Sequence, residues 1–338
     1  MNGQPSKNPQ PSMGFLARLK AFMKSPGTKF RQMVRDSVRQ EIQEHLIPRL
    51  DNLGKYAQDM AGRFAIPVGP NELLMVCPSG LVLVPADDIA VVACFANGGD
   101  LEPGTRILIS QALQPGNTFV DVGANLGIMT LAAARAVGPQ GKIIAFEPFE
   151  QTKRFLERTI WANGLGDLVK IHQAAVSDHV GTHEFFVGPT CGHNSLFPLE
   201  ASSTTSGGVS GAGNRVEVNM VRLDAVVSEA TPVHLLKIDA EGAELEVLES
   251  AAKIILAQPE IALIVEFGPS HLKRRGLTTR AWLKPFQDLG LDYKTIHPFT
   301  GKLESTNPEM LDRVHSENLF FARTQSAIWK RLGEKQAQ

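Results

Sequence analysis

Cysteine and tyrosine are scarce in this chain, and no apolar run is long enough to span a bilayer. Its three cysteines (Cys77, Cys94 and Cys191) are odd in number and lack metal-like spacing. That excludes a disulfide scaffold or a zinc module and suits a reducing compartment. The two tyrosines, Tyr56 and Tyr293, are followed four residues later by Met60 and His297, so neither opens a Tyr-x-x-x-Lys pair. Without about 18 consecutive apolar residues, no membrane span is expected. Arg18 and Lys20 interrupt the only early apolar cluster, which argues against a secretory signal and for a cytoplasmic protein. An excess of one charge is missing too. The 34 Lys and Arg against 35 Asp and Glu give −1, which offers no general attraction to nucleic acid.

That balance hides an asymmetry. Residues 1–35 hold seven Lys or Arg and no Asp or Glu, leaving −8 for the rest. Residues 1–12 are polar and Pro-rich, a disordered composition. From Met13 to Lys24, Phe15, Leu16, Leu19, Phe22 and Met23 share one helical face, with Arg18, Lys20 and Lys24 off it. Val34, Val38, Ile42, Leu46 and Leu50 then recur at four-residue steps, and Pro48 should kink or end that helix. Two readings of this arm stay open. It packs on the core or on another subunit, giving self-association, or it rests as a basic amphipathic helix on the anionic inner face of a membrane.

The expected organisation is a basic helical extension (1–65), a β-hairpin and helix lead-in (66–115), a main domain (116–325) and a tail (326–338). Leu73–Val76 and Leu81–Val84, around Pro78-Ser-Gly80, predict a hairpin. A helix follows Pro103 and stops at Gln114-Pro-Gly-Asn117. The main domain alternates apolar strands (118–122, 142–146, 169–176, 233–239, 261–266) with helices (128–137, 149–163, 245–256, 282–289), then adds strands at 293–296 and 318–322. Such alternation means an open, doubly wound α/β sheet.

Its first unit carries the strongest signal. Thr118-Phe-Val-Asp-Val122 runs straight into Gly123-Ala-Asn-Leu-Gly127, a helix and a second strand that ends in Glu147-Pro148, 20 residues beyond Gly127. Glycines let the backbone turn sharply beside a ligand, and a carboxylate at the second strand end can accept from two ribose hydroxyls. A nucleoside-containing ligand follows. Dinucleotide sites keep G-x-G-x-x-G so that pyrophosphate reaches the helix, but here Asn125 takes the second glycine position. Asp121, two residues before Gly123, suits a ligand with an ammonium group. The pattern favours S-adenosylmethionine over NAD, held by Asp121, Gly123, Ala124, Asn125, Gly127 and Glu147. Ser177 and Asp178, at the end of the third strand, would meet the adenine edge, and Asp178 also reads as a plain turn residue.

Together these segments resemble the FkbM-type S-adenosylmethionine-dependent methyltransferases. The resemblance rests on Phe119-Val-Asp-Val-Gly-Ala-Asn-Leu-Gly127, Phe146-Glu-Pro148, Ala175-Val-Ser-Asp178, Val221-Arg-Leu-Asp224 and Leu236-Lys-Ile-Asp-Ala-Glu-Gly-Ala-Glu244. It covers roughly residues 70–323, and the family more often has valine where Ala240 stands. It implies a seven-stranded class I methyltransferase fold (Rossmann-like) and methylation of a hydroxyl oxygen. Sugars, glycan units and polyketide-like metabolites are the acceptors it suggests.

Chemistry at oxygen needs an aligned hydroxyl and a group to take its proton. Asp239, Glu241 and Glu266 sit at the carboxyl ends of strands, where crevice groups meet ligands. Asp239, which also borders the cofactor, or Glu241 is the first choice, with Glu266 next. The same carboxylates suit a shared Mg²⁺. Glu244 reads either as part of this set or as support for its helix N-terminus. His271 is a candidate base or a solvated loop residue. Residues 180–232 read as a hairpin lid with a flexible tract at 201–213, and His193, Asn194 and Ser195 are candidates to contact the acceptor. Asp224 is read as structural, accepting local backbone hydrogen bonds. No Asn/Asp-Pro-Pro-aromatic follows the fourth strand, and the core is acidic, so nucleic acid is not the expected acceptor. A competing class is a catalytically idle cofactor-binding scaffold, recruited through its arm.

Overall fold

The computed structural model describes residues 28–49, 65–98, 100–188, 190, 194–197 and 215–336. The chain divides into a unit up to residue 61 and a second from residue 62. In the first, Thr28–Glu41 forms helix α1, followed by a π-helical turn at Ile42–Leu46. Pro48 lacks an N–H and crowds the carbonyl four residues back. The helix does not end there: the Ile47 N–H bonds Ile42 O across the wider turn, and helical backbone runs on to residue 49. Met33, Val38, Ile42, Leu46 and Ile47 are exposed. The basic pattern at Met13–Lys24 lies outside the described residues.

The second unit opens with an antiparallel meander of β1 (Ala65–Gly69), β2 (Glu72–Cys77) and β3 (Gly80–Pro85). The predicted hairpin is its second half. Helices α2 (Ile89–Gly98) and α3 (Pro103–Ala112) follow. The run Ile89–Phe95 is apolar on every side, which hides α2 from a search for helical periodicity.

The main sheet then takes β4 (Thr118–Val122), α4 (Ile128–Val137), β5 (Lys142–Phe146), α5 (Glu150–Ala162) and β6 (Val169–His172). The chain leaves it for β7 (Ala175–Val176), β8 (Gly181–Phe186) and β9 (Arg215–Val221). It returns as β10 (Leu235–Ile238), α6 (Glu244–Ala257), β11 (Ala262–Phe267), α7 (Thr279–Asp288), β12 (Leu291–Ile296), β13 (Leu303–Glu304), β14 (Glu317–Arg323) and α8 (Ala327–Gln336). Strand order is β13-β12-β14-β11-β10-β4-β5-β6, with β4, β5, β6, β10 and β11 parallel and β14 antiparallel to both neighbours. This is the expected doubly wound α/β sheet. It has eight strands rather than seven because Leu303–Glu304 pairs with Thr295–Ile296 at one edge.

A sheet covered on both faces needs apolar residues on both sides of each strand. Phe119, Leu235, Ile264 and Phe320 pack on one face with Leu108, Leu131 and Leu156. Val120, Leu236, Leu263 and Phe321 pack on the other with Val247, Trp282 and Phe286.

Three expectations need correction. Val169–Val176 is not one strand. It breaks after His172, and Ala175–Val176 pairs with β9, where Ala175 packs against Phe185 and Met220. The predicted hairpin β8–β9 therefore belongs to a small separate sheet with β7, and the tract at 201–213 lies outside the described residues. Asp224 accepts from the Arg222 guanidinium at 2.9 and 3.0 Å and from Lys253, not from local backbone. The C-terminal segment is no tail: α8 buries Ile328 and Leu332 in the core, and Trp329 Nε1 donates to Arg323 O at 2.8 Å.

Because Leu332 is fully buried, Leu332→Ala should cost about 2–5 kcal/mol of stability. Urea unfolding checks this, and a loss within about 0.5 kcal/mol, normal for a surface site, would show that α8 is not part of the folded unit.

Candidate functional site

Parallel register places Lys237 of β10 directly beside Asp121 of β4. Both point to the same face near the carboxyl ends of the two central strands, and Asp239 follows two residues on. Lys237 is buried and its Nζ donates to Asp239 Oδ2 at 2.7 Å. Asp121 is fully buried, and its Oδ2 accepts from the Thr130 hydroxyl at 2.5 Å. Glu102, at the N-cap of α3, completes this group. Its Oε2 accepts from Asn318 Nδ2 at 2.7 Å. Three carboxylates thus surround one ammonium. Burial pushes Asp121 and Glu102 up, against the pull of Lys237. Burial also opposes the charged forms of Asp239 and Lys237, but their mutual attraction wins, holding Asp239 down and raising Lys237.

The glycine loop lies against this group. The backbone N–H groups of Gly123 and Ala124 both donate to Phe146 O, at 3.0 and 2.9 Å. Gly123 has φ 77°, and a Cβ there would sit 1.9 Å from Asp239 O, so only glycine fits where the two strand ends meet. Glu147 closes the other side. Its Oε2 accepts from Asn125 N at 3.1 Å and its Oε1 from Phe149 N at 3.0 Å. Burial outweighs both donors and raises its carboxyl to about 7.

Beyond Asp239, the turn Ala240-Glu-Gly242 carries a second group of acids. Glu241 has φ 50°, outside the ordinary range for a non-glycine residue. Its carbonyl accepts from Ser195 Oγ at 2.7 Å and Arg274 Nη2 at 3.4 Å. Its side chain meets His271 Nε2 at 3.2 Å. His271 is therefore no solvated loop residue. Burial works against its charged ring, yet the bond to Glu241 and the charge of Glu244 raise its pKa. Glu266 Oε1 accepts from Ser316 Oγ at 2.9 Å, while Oε2 is closed off from solvent, and the Glu266 carboxyl hydrogen-bonds Asp239. Burial, then Asp239 and the neighbouring glutamates, push Glu266 well up. Glu244 Oε1 accepts from Gly242 N at 2.8 Å and so supports the start of α6. Burial raises it to about 7.

Two adjoining cavities share Glu102, Gly123, Asn125 and Asp239 as walls. One continues past Glu147, Val176 and Leu196 and past Glu241 and Glu266. The other is mostly apolar, with Val91, Leu101, Leu126, Ile128 and Met129 around Asp121 and Ala124. Of the residues singled out from sequence, Gly127 only opens α4 (φ 90°) and sits against Leu156. Ser177 and Asp178 do not line either cavity: the break in the third strand moves them to the small sheet, where Asp178 Oδ1 pairs with His179. Asn194 lines the first cavity and accepts from Gly188 N at 2.9 Å. Ser195 is buried behind Glu241, and His193 lies outside the described residues. Sequence reasoning missed Glu102 and Lys237. Lys237 reads as one polar residue in an apolar strand, and the left-handed backbone of Glu102 (φ 47°) leaves no mark in the sequence.

Glu147 gives a pH test. Its folded value of about 7 stands above an ordinary 4.5, so the folded state binds the proton more tightly. That stabilisation is fully present below about pH 4.5 and is lost as pH rises through about 7. The urea midpoint of ligand-free protein should fall across this window, and Glu147→Gln, which mimics the protonated form, should flatten the fall. An unchanged slope in the variant refutes the assignment.

Comparison with known proteins follows the same residues. The family model for the methyltransferase FkbM domain matches residues 121–295, just over half of the chain. Methyltransferase sdnD of Sordaria araneosa is 34% identical over 158 residues, covering 40% of this chain and 61% of that protein. The 31-O-demethyl-FK506 methyltransferase FkbM of Streptomyces tacrolimicus is 29% identical over 160 residues, covering 40% and 60%. The chain thus spans about 60% of the length of these curated relatives. A crystal structure of methyltransferase FkbM from Methylobacillus flagellatus KT matches with a TM-score of 0.39 and 12% identity, over 63% of this chain and 47% of that one. From Asp121 through the glycine loop, β10 and β11 into β12, a stretch that carries every acid of the two cavities but Glu102, the chain belongs to the FkbM methyltransferase domain family.

Proposed function

We propose that the protein transfers the methyl group of S-adenosylmethionine to a hydroxyl oxygen of a small organic acceptor. The observation that carries this reading is the charge of the shared wall. Asp121, Asp239 and Glu102 outnumber Lys237 three to one, with Asp121 and Lys237 themselves buried. Such a wall attracts a ligand with ammonium and sulfonium charges and repels the pyrophosphate of NAD. The remaining contacts suit the same ligand. Each Glu147 oxygen receives one backbone N–H and keeps capacity for a ribose hydroxyl. Asn125 Oδ1 is buried in the loop without a partner. Gly123, Ala124 and Asn125 bring backbone close to the ligand. When bound, S-adenosylmethionine supplies a methyl already made electrophilic by its sulfonium.

The protein's own task is then to place an oxygen and relieve it of a proton. Asp239, oriented by Lys237, receives the hydroxyl hydrogen bond and takes the proton, while Glu241 and Glu266 line the acceptor's approach. Phe185 of β8 and Asn194 line the same cavity, and hairpin β8–β9 would serve as its lid. The fourth strand ends in Asp239-Ala-Glu-Gly242 rather than Asn/Asp-Pro-Pro-aromatic, and one relative's name specifies an oxygen, 31-O. The apolar neighbouring cavity favours a hydroxyl carried on an apolar body, such as a lipid-linked sugar or a polyketide-like metabolite, over a free polysaccharide. The N-terminal helices would serve self-association or contact with the inner membrane face, and the setting would be cytoplasmic; no described helix is long and apolar enough to cross a membrane.

Calorimetry should detect S-adenosylmethionine and not NAD. Glu147→Ala removes two charge-assisted hydrogen bonds worth about 1.5–3 kcal/mol each and should weaken binding at least about tenfold. The affinity of the wild type should rise with pH up to about 7 and then level, because only the carboxylate accepts from both hydroxyls. Binding of NAD instead, or of neither ligand, overturns the proposal.

With labelled methyl donor and a panel of sugar, lipid-linked and polyketide alcohols, Asp239→Asn should lower kcat about 10²–10⁴-fold. Tight donor binding with no transfer to any alcohol favours the idle scaffold.

A further inference from the structure

Glu241, Glu266 and His271 come from separate pieces of chain: the strained turn after β10, the end of β11 and the short helix Pro269–Arg274. One ligand atom from each lies within 4.8 Å of the other two. His271 Nε2 and Glu241 Oε2 are 3.2 Å apart. Neighbouring ligands on a first-row divalent ion, each about 2.1 Å from it, stand roughly 3.0–3.5 Å from one another. Glu266 supplies the third ligand atom, a carboxylate oxygen, and its Oε2 is closed off from solvent. Its Oε1 is fixed by the Ser316 hydroxyl, the kind of outer support that orients a ligating carboxylate. Two donors to the Glu241 carbonyl hold that residue in its left-handed conformation.

We propose that Glu241, Glu266 and His271 form a divalent-cation site at the acceptor end of the first cavity. The sequence left Mg²⁺ on Asp239, Glu241 and Glu266 open as an alternative to a catalytic role for them. In the structure Lys237 engages Asp239, and an imidazole takes its place in the set. Mg²⁺ prefers oxygen ligands and water, so two carboxylates with an imidazole select Mn²⁺ or Zn²⁺. The local charge agrees: Glu241, Glu244, Glu266 and Asp239 converge here against Lys237, Arg274 and His271. The ion's role rests on the methyl-transfer reading, in which a hydroxyl bound as a further ligand becomes more acidic. Its binding does not.

The test is a titration of the full chain with Mn²⁺, followed by the loss of the aqueous ion's electron paramagnetic resonance signal. A single ion should bind, displaced by stoichiometric Zn²⁺ and by Mg²⁺ only in large excess. Glu266→Gln and His271→Ala should each weaken it at least about tenfold, with folding and S-adenosylmethionine affinity followed in parallel by calorimetry. If wild type and variants bind S-adenosylmethionine but none takes up either ion, or all do so equally, the cation site is overturned and the methyl-transfer reading stands. Cation binding lost in the variants, with no S-adenosylmethionine binding by wild type, supports the site and overturns that reading.

Discussion

A buried ammonium organises this protein. Lys237 lies on β10, one of the two central strands, and its partners come from three places: Asp121 on β4, Asp239 at the end of its own strand, and Glu102 where α3 begins. Burying that charge alone would cost far more than any single contact returns. The three pieces of chain are therefore held where their carboxylates can reach it. The Gly123 loop is caught in the same arrangement, since its backbone passes where any Cβ would strike Asp239 O. Sheet register, the α3 terminus and the loop are consequences of one electrostatic requirement, and none can shift without stranding a charge.

The solution leaves negative charge unmatched, and backbone strain collects at the same place. Among the described residues, Glu102, Asn125 and Glu241 are the non-glycine positions with positive φ, and all three line the first cavity. Conformations of this kind cost of order 1–3 kcal/mol each and persist where surroundings over-determine them. Here the determinants are visible. Asn318 holds Glu102, the Glu147 carboxylate holds the Asn125 N–H, and Ser195 and Arg274 hold the Glu241 carbonyl.

Much of the main domain was legible in sequence because its signals are local. Strand 118–122 passes directly into the glycine loop, and Glu147 closes the second strand at a fixed distance. The turn after β10 carries its acids in one short segment. What escaped is what depends on distant partners. The break after His172 brings Ala175 and Val176 against Met220 and Val221 of the distant β9, where Ala175 joins a small core with Phe185 and Met220. Helix α8 looks like a charged tail until Leu332 finds the core. Asp178 has the side chain a ligand contact needs, but the break carries it to a bend after the small sheet, beside His179, and composition cannot report that.

The same locality explains why His271 was easy to undervalue. In sequence it follows Gly268-Pro-Ser, a loop-like stretch, and nothing nearby asks for an imidazole. Its partner Glu241 lies thirty residues earlier, and the two meet only because β10 and β11 are parallel neighbours whose carboxyl ends open on one side. Parallel pairing forces consecutive strand ends, and the turns that leave them, to the same edge of the sheet. Acids scattered along the chain at Asp239, Glu241 and Glu266 are thereby gathered around one opening, and a histidine from the next turn joins them. The chemistry available at that opening is set by topology first and by residue type second.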